Sequence, residues 1–170
     1  AGVSSWRRIE DTVTPPRVKA FSNYHNGRFA MMEAKHGGYD SAIMLDGNGK
    51  VSEGPASCLV MVRNGRVVTP STTSSILESI TRDTMLTIAR EDMALEVVER
   101  QIDRSELYLA DELFFVGTAW EILPVIEIDG LAVGDGAIGP VARGLDARYA
   151  DLVRGRVADT RGWLTPVWDD

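Results

Sequence analysis

The sequence is poor in the residues that build redox and metal chemistry. Cys58 is its only cysteine, and His25 and His36 are its only histidines, in a chain of 170 residues. One thiol closes no intrachain disulfide, and two distant histidines suggest neither a His-rich metal site nor a nucleophilic triad. Both histidines read as surface or helix-end residues. Cys58, in an apolar stretch without cationic sequence neighbours, reads as an inert core thiol. Basic residues are also short: Lys+Arg 18 against Asp+Glu 25 leaves a net charge of −7, the wrong sign for a protein that binds nucleic acid. No apolar run approaches the ~20 residues that cross a bilayer. The stretch from Ala1 to Arg8 lacks the apolar segment of a signal peptide. These absences point to a cytoplasmic protein with neither nucleic acid nor membrane as partner. Ala1 stands where an initiator Met is expected, so a processed chain or a piece of a longer one is anticipated.

What is present is ordinary globular composition, 44% hydrophobic and 25% charged, enough for one core. Residues 1–17, with Pro15-Pro16, read as an extended connector. The spacing predicts a helix over Asn23–His36, ended by Gly37-Gly38. Strands are expected at Ala42–Leu45, Cys58–Val62, Arg66–Thr69, Glu96–Ile102, Leu113–Val116 and Glu121–Ile128. Asn64-Gly65 and Asp129-Gly130 are hairpin turns, because both positions of each tolerate positive φ. Ser71 to Ser75 form a loop. Met85, Ile88 and Ala89 make one face of a helix over Ser79–Glu91, Asp103–Ala110 is a short helical turn, and Pro140 to Arg154 is a final amphipathic helix. Strands, helix, strands and helix in this order give an α+β (mixed α/β) class.

Gly134-Asp135-Gly136-Ala137-Ile138-Gly139 matches the spacing of a dinucleotide-binding loop. Its preceding segment is short, Asp135 is negative where a pyrophosphate would lie, and too little chain follows to complete the unit, so a turn before a helix is expected. Two other features suit an anion. Ser79-Ile80-Thr81 opens a helix, whose first amides are unsatisfied donors, and Thr118 follows a buried strand. Each is a common capping pattern by itself; together they suit a phosphorylated cofactor. Lys19 and Glu53 are unremarkable on composition alone.

Several segments in order carry more. Val3-Ser4-Ser5-Trp6-Arg7-Arg8, Lys19-Ala20-Phe21-Ser22-Asn23-Tyr24, Leu45-Asp46, Val51-Ser52-Glu53-Gly54, Ser75 to Asp83, Leu107 to Glu112, Gly117-Thr118-Ala119 and Gly134-Asp135-Gly136 resemble the fold-type IV pyridoxal-phosphate enzymes, in particular the branched-chain amino acid aminotransferases. The resemblance implies the C-terminal domain of that fold, with a mixed sheet or barrel-like strands and flanking helices. Residues 1–18 would be an interdomain connector and 19–170 the cofactor-binding domain; the family's N-terminal domain is absent from this sequence.

By resemblance, Lys19 is the lysine that condenses with the cofactor aldehyde, which requires its neutral form and hence a site low in water. Tyr24 bonds the phenolic oxygen, Glu53 faces the pyridine nitrogen and Leu77 packs on the ring. Ile80 and Thr81 give backbone donors to the phosphate, Thr118 gives a hydroxyl, and the Thr118-Ala119 backbone helps hold the substrate carboxylate. The expected activity is transamination between a branched-chain L-amino acid and 2-oxoglutarate in amino-acid biosynthesis. It would be completed by an N-terminal half and carried by a homodimer or higher assembly. D-amino acid or amine transamination, aminodeoxychorismate lyase activity and a non-catalytic interaction domain remain alternatives. The sequence departs from the family at Glu78-Ser79, where many members have Pro-Gly, and at Ala56-Ser57-Cys58, where they have Gly-Glu-Asn.

Overall fold

A computed structural model describes residues 1–165 and 167. Its centre is a five-stranded mixed sheet in the order β5-β4-β3-β6-β7, built from β3 (Cys58–Arg63), β4 (Arg66–Thr69), β5 (Val97–Glu99), β6 (Glu112–Gly117) and β7 (Glu121–Val125). Of the two expected forms, the described strands make an open mixed sheet, with β5 and β7 as its edges. Alternate residues face opposite ways. Leu59, Met61, Leu113 and Phe115 enter one core, and Cys58, Val60, Val62, Phe114 and Val116 the other. Burial on both faces explains why β3 and β6 read as unbroken apolar runs.

The second face is covered by α2 (Ile80–Thr87) and α3 (Pro140–Val153), through Met85, Leu86, Ala142 and Leu145. The first is covered by Ile43 and Leu45 of β2 (Ala42–Leu45), by Leu107 of a 3₁₀ segment, Arg104–Leu109, and by Ile128. β1 (Gly2–Arg7) runs parallel to β2, and β8 (Glu127–Ile128) pairs with β9 (Leu131–Ala132).

Helix α1 (Asn23–His36) lies where its spacing predicted. It buries Asn23, Gly27, Ala30 and Ala34, a stripe of short side chains that brings its backbone close to its neighbours. Gly38, at φ +84°, ends it, with the Tyr39 N–H reaching back to the Ala34 carbonyl at 2.9 Å. Both expected hairpin turns have positive φ at both positions, 52° and 73° at Asn64-Gly65 and 51° and 80° at Asp129-Gly130.

Four expectations change. Residues 2–7 are extended but paired, because the parallel partner β2 lies far along the chain, beyond any local signal. The strand expected over Glu96–Ile102 is only Val97–Glu99, since the Ile102 carbonyl turns away to accept the Val51 N–H at 2.9 Å. The strand expected over Glu121–Ile128 divides at Ile126 into β7 and β8, and Pro124 lies within β7, which as an edge strand tolerates it. The helix expected to Glu91 widens after Thr87 into a π-helical turn, Ile88–Asp92, with the Met93 N–H bonding the Ile88 carbonyl five residues back at 3.1 Å.

Candidate functional site

The Gly134–Gly139 loop is not an anion site. The Glu112 carboxylate accepts the Val141 and Ala142 N–H groups at 2.9 and 2.8 Å, so the start of α3 already holds a negative charge. The segment before the loop is the two-residue β9. His25 and His36 are exposed on α1, as read from the sequence.

A cavity of about 280 Å³ opens at the end of the sheet where β3 begins and β6 ends, Cys58 pairing with Val116. Lys19, Tyr24, Glu53, Leu77, Thr118 and Ala119 all line it. Six residues spread over 100 positions of sequence thus meet in one cavity. Ile80 and Thr81 do not line it. The Ile80 side chain is exposed, and Thr81 is buried immediately behind, its Oγ1 3.4 Å from Thr118 Oγ1. The amides of Ile80 and Thr81 have no backbone acceptor among the described residues.

Glu53 is the buried acid of the site. Its Oε1 accepts from Arg8 Nε at 2.7 Å; its Oε2 accepts the Leu77 N–H at 3.2 Å and lies 3.9 Å from Cys58 Sγ. Burial raises its carboxyl to about 7, against the lowering pull of Arg8 and the Leu77 N–H. Burial likewise pushes the Cys58 thiol up to about 12. It is therefore protonated and donates to the Leu77 carbonyl at 3.4 Å, consistent with an unreactive thiol.

Lys19 reaches the cavity from a loop shaped by Asn23, whose Nδ2 donates to the Pro15 and Val18 carbonyls, both at 2.9 Å. Lys19 itself is exposed, which corrects the expectation of water-poor surroundings: this chain alone does not enclose the amine. Tyr24 follows on the first turn of α1, 37% exposed.

Among the further residues that line the cavity, Arg8, Asn23, Cys58 and Ser79 bring polar groups that were not assigned to it from the sequence. Arg8 and Asn23 stand inside segments that carried the resemblance, but only contacts across the fold reveal their part. Ser79 has φ +50° and its Oγ accepts the Arg82 N–H at 3.3 Å, capping α2. The left-handed backbone is one glycine adopts freely, so the chain keeps the turn despite a serine there.

The arrangement fits pyridoxal 5′-phosphate. Thr118 brings a hydroxyl to the cavity, and behind it lie the Thr81 hydroxyl and the Ile80 and Thr81 amides that open α2, donors of the kind a phosphate takes. Glu53, Lys19 and Leu77 line the same cavity.

Comparison with known proteins agrees. Residues 1–128 match the family described as Amino-transferase class IV, and the chain belongs to that family. It is 46% identical over 169 residues to a probable branched-chain-amino-acid aminotransferase of Aquifex aeolicus (strain VF5), covering 99% of this chain and 54% of that protein. Against the branched-chain-amino-acid aminotransferase of Escherichia coli (strain K12) the identity is 42%, over 98% of this chain and 54% of the other. Among solved structures, the branched-chain amino acid aminotransferase from Thermobaculum terrenum in its PLP form superposes with a TM-score of 0.96 at 50% identity, covering 99% of this chain and 55% of that one. The fold is that of the fold-type IV aminotransferases, and the chain spans about half the length of the curated relatives it matches.

Proposed function

We propose that residues 19–170 form the cofactor-binding half of a pyridoxal-5′-phosphate-dependent aminotransferase acting between a branched-chain L-amino acid and 2-oxoglutarate. Residues 1–18 lead in from an N-terminal half that completes the site, and the assembly is a homodimer or larger, working in amino-acid biosynthesis in the cytoplasm. In support of the location, no described helix is long and apolar enough to cross a membrane. The observation that carries the reading is the convergence of Lys19, Tyr24, Glu53 and Thr118 on one cavity. In support of a second half, Lys19 is exposed and Phe21, Tyr24, Phe29 and Met32 leave an apolar surface beside it.

In this reading Thr118 Oγ1, the Thr81 hydroxyl behind it and the first amides of α2 bind the phosphate. The Tyr24 hydroxyl donates to the phenolic oxygen, and Leu77 supports one face of the ring. Glu53 holds a proton on the ring nitrogen by offering a carboxylate oxygen to it. The bound cofactor supplies an electron sink for the carbanion at the substrate α carbon. Lys19 Nζ would hold the cofactor aldehyde and, once displaced from it by the substrate amine, would be free to take the proton from that carbon. The Thr118 and Ala119 backbone orients the substrate carboxylate.

Borohydride treatment of the protein loaded with pyridoxal 5′-phosphate, followed by peptide mapping, tests this directly. The expected result is a phosphopyridoxyl group on Lys19. An unmodified Lys19 peptide from a loaded sample overturns the reading. A panel of amino donors tests the substrate: leucine, isoleucine and valine should exceed D-alanine, and equal rates would displace the branched-chain assignment.

A further inference from the structure

Arg8 faces no reacting atom in the reading above, yet its side chain is only 7% exposed at the cavity wall. It follows β1, in the segment read from the sequence as a mere connector. Its Nε donates to Glu53 Oε1 at 2.7 Å, and its Nη1 donates to the Asn23 carbonyl at 3.2 Å. These acceptors belong to two different walls: Glu53 follows β2, and Asn23 opens α1 one residue before Tyr24. A single planar guanidinium therefore ties the buried acid to the helix that carries the tyrosine.

We propose that Arg8 is a positioning residue of the cofactor site, which favours the charged form of Glu53 and fixes its carboxylate relative to Tyr24. This rests on the cofactor assignment made above. A carboxylate taken out of water is disfavoured unless a charge partner compensates it. The groups facing Glu53 are few. From the loop before α2 comes the Leu77 N–H at 3.2 Å, and from β3 the Cys58 thiol at 3.9 Å, protonated and therefore uncharged. The Arg82 guanidinium of α2 favours the carboxylate from further off, after Arg8 in effect, and Lys19 and Tyr24 stand elsewhere on the cavity wall. Without Arg8 the remaining support is one amide and a more distant cation, and burial would leave Glu53 neutral. A neutral acid offers no counter-charge to a protonated ring nitrogen. The fork geometry matters separately, because a lysine at this position supplies charge but cannot hold both acceptors in a fixed plane. The connector is on this view a working part of the site.

The test uses Arg8→Gln and Arg8→Lys in the protein as isolated, with any N-terminal half it carries. One readout is the carbon-13 titration of the Glu53 carboxyl, assigned by its loss in Glu53→Gln. The other is the affinity for pyridoxal 5′-phosphate, followed by tryptophan fluorescence. Arg8→Gln should raise the Glu53 transition by about 1–3 pH units. It should weaken cofactor binding near neutral pH by roughly tenfold per unit of that rise, and add nothing in a Glu53→Gln background. A folded Arg8→Gln protein with the transition unmoved overturns the proposal, as does an equal loss of affinity with and without Glu53. If Arg8→Gln does not fold, Arg8→Lys decides: the transition should stay where it is in the parent protein while affinity falls, and a transition raised by about 1–3 units contradicts the charge role. An unaltered protein that takes up no pyridoxal phosphate defeats the functional reading. Uptake with an unmoved transition defeats the Arg8 assignment alone.

Discussion

Gly27 sits on the buried stripe of α1 where the helix passes the segment that follows Glu53. A Cβ at position 27 would lie 2.2 Å from the Pro55 carbonyl oxygen and 2.9 Å from its carbon. Ordinary contact begins at 3.4 Å, so Gly27→Ala must part the helix from residue 55 by about 1 Å. The obstructing atoms are backbone, and no side-chain rotation relieves them. Overpacking of this kind costs about 1–3 kcal/mol. Alanine returns up to about 1 kcal/mol through its better helix propensity, leaving a net loss of up to about 2 kcal/mol. For a chain of this size that lowers Tm by up to about 8 °C. The displaced elements carry Tyr24 on one side and, two residues before Pro55, Glu53 on the other, so the cavity opens between two of its proposed cofactor contacts. A misplacement of about 1 Å can cost up to about 10²-fold in turnover. Thermal melting and cofactor titration of Gly27→Ala beside the parent protein measure both effects. Equal Tm and equal affinity would refute the close-approach argument, because nothing else at position 27 requires glycine.

Ser79→Gly removes a side chain held at φ +50°, relieving about 1–2 kcal/mol. It forfeits a few tenths for the cap and about 0.5–1 kcal/mol in unfolded-chain freedom, so Tm should rise by about 1–2 °C; a fall would show that the Ser79 bond to the Arg82 N–H outweighs the strain. Stability should also depend on pH in two opposite windows. The hydrogen bond from Arg100 holds the Glu106 carboxyl at about 2, below its ordinary 4.5; that stability is present above 4.5 and lost as pH falls through 2, and Glu106→Gln should flatten the acid limb of a melting profile. Glu53, raised to about 7, acts the other way: its contribution is complete below 4.5 and lost as pH climbs through 7. Glu53→Gln should remove that decline, and an unchanged profile would contradict the burial cost assigned to it.

The elements legible in the sequence are those whose cause is local. Asn64-Gly65 and Asp129-Gly130 determine their own turns through positive φ, and the run from Leu113 to Val116 could only be buried. Elements that depend on distant partners were hidden. β1 becomes a strand because of residues 42–45, and the stretch after Glu99 leaves the sheet because Val51 claims the Ile102 carbonyl. The candidate site divides in the same way. An open helix start at Ile80-Thr81 and a threonine ending a buried strand are visible as chemistry in one dimension. Lys19 and Glu53 acquire meaning only from the ordered resemblance, and Arg8 only from contacts across 45 residues.

The two helix starts show why a pattern of donors is not enough to define an anion site. α2 and α3 each begin with unsatisfied amides, and glycine-rich sequence makes the second the more conspicuous. Glu112, projecting from the first residue of β6, fills the start of α3 with its own carboxylate, and a Cβ at Gly139 would fall 2.0 Å from the Glu112 carboxyl carbon and displace that side chain. At α2 the cap is an uncharged serine serving the Arg82 amide alone, which leaves Ile80 and Thr81 available beside Thr118. The same dipole is thus consumed internally in one helix and left for a ligand in the other. What separates them is one side chain, at position 112 of a strand that also ends at the proposed cofactor cavity.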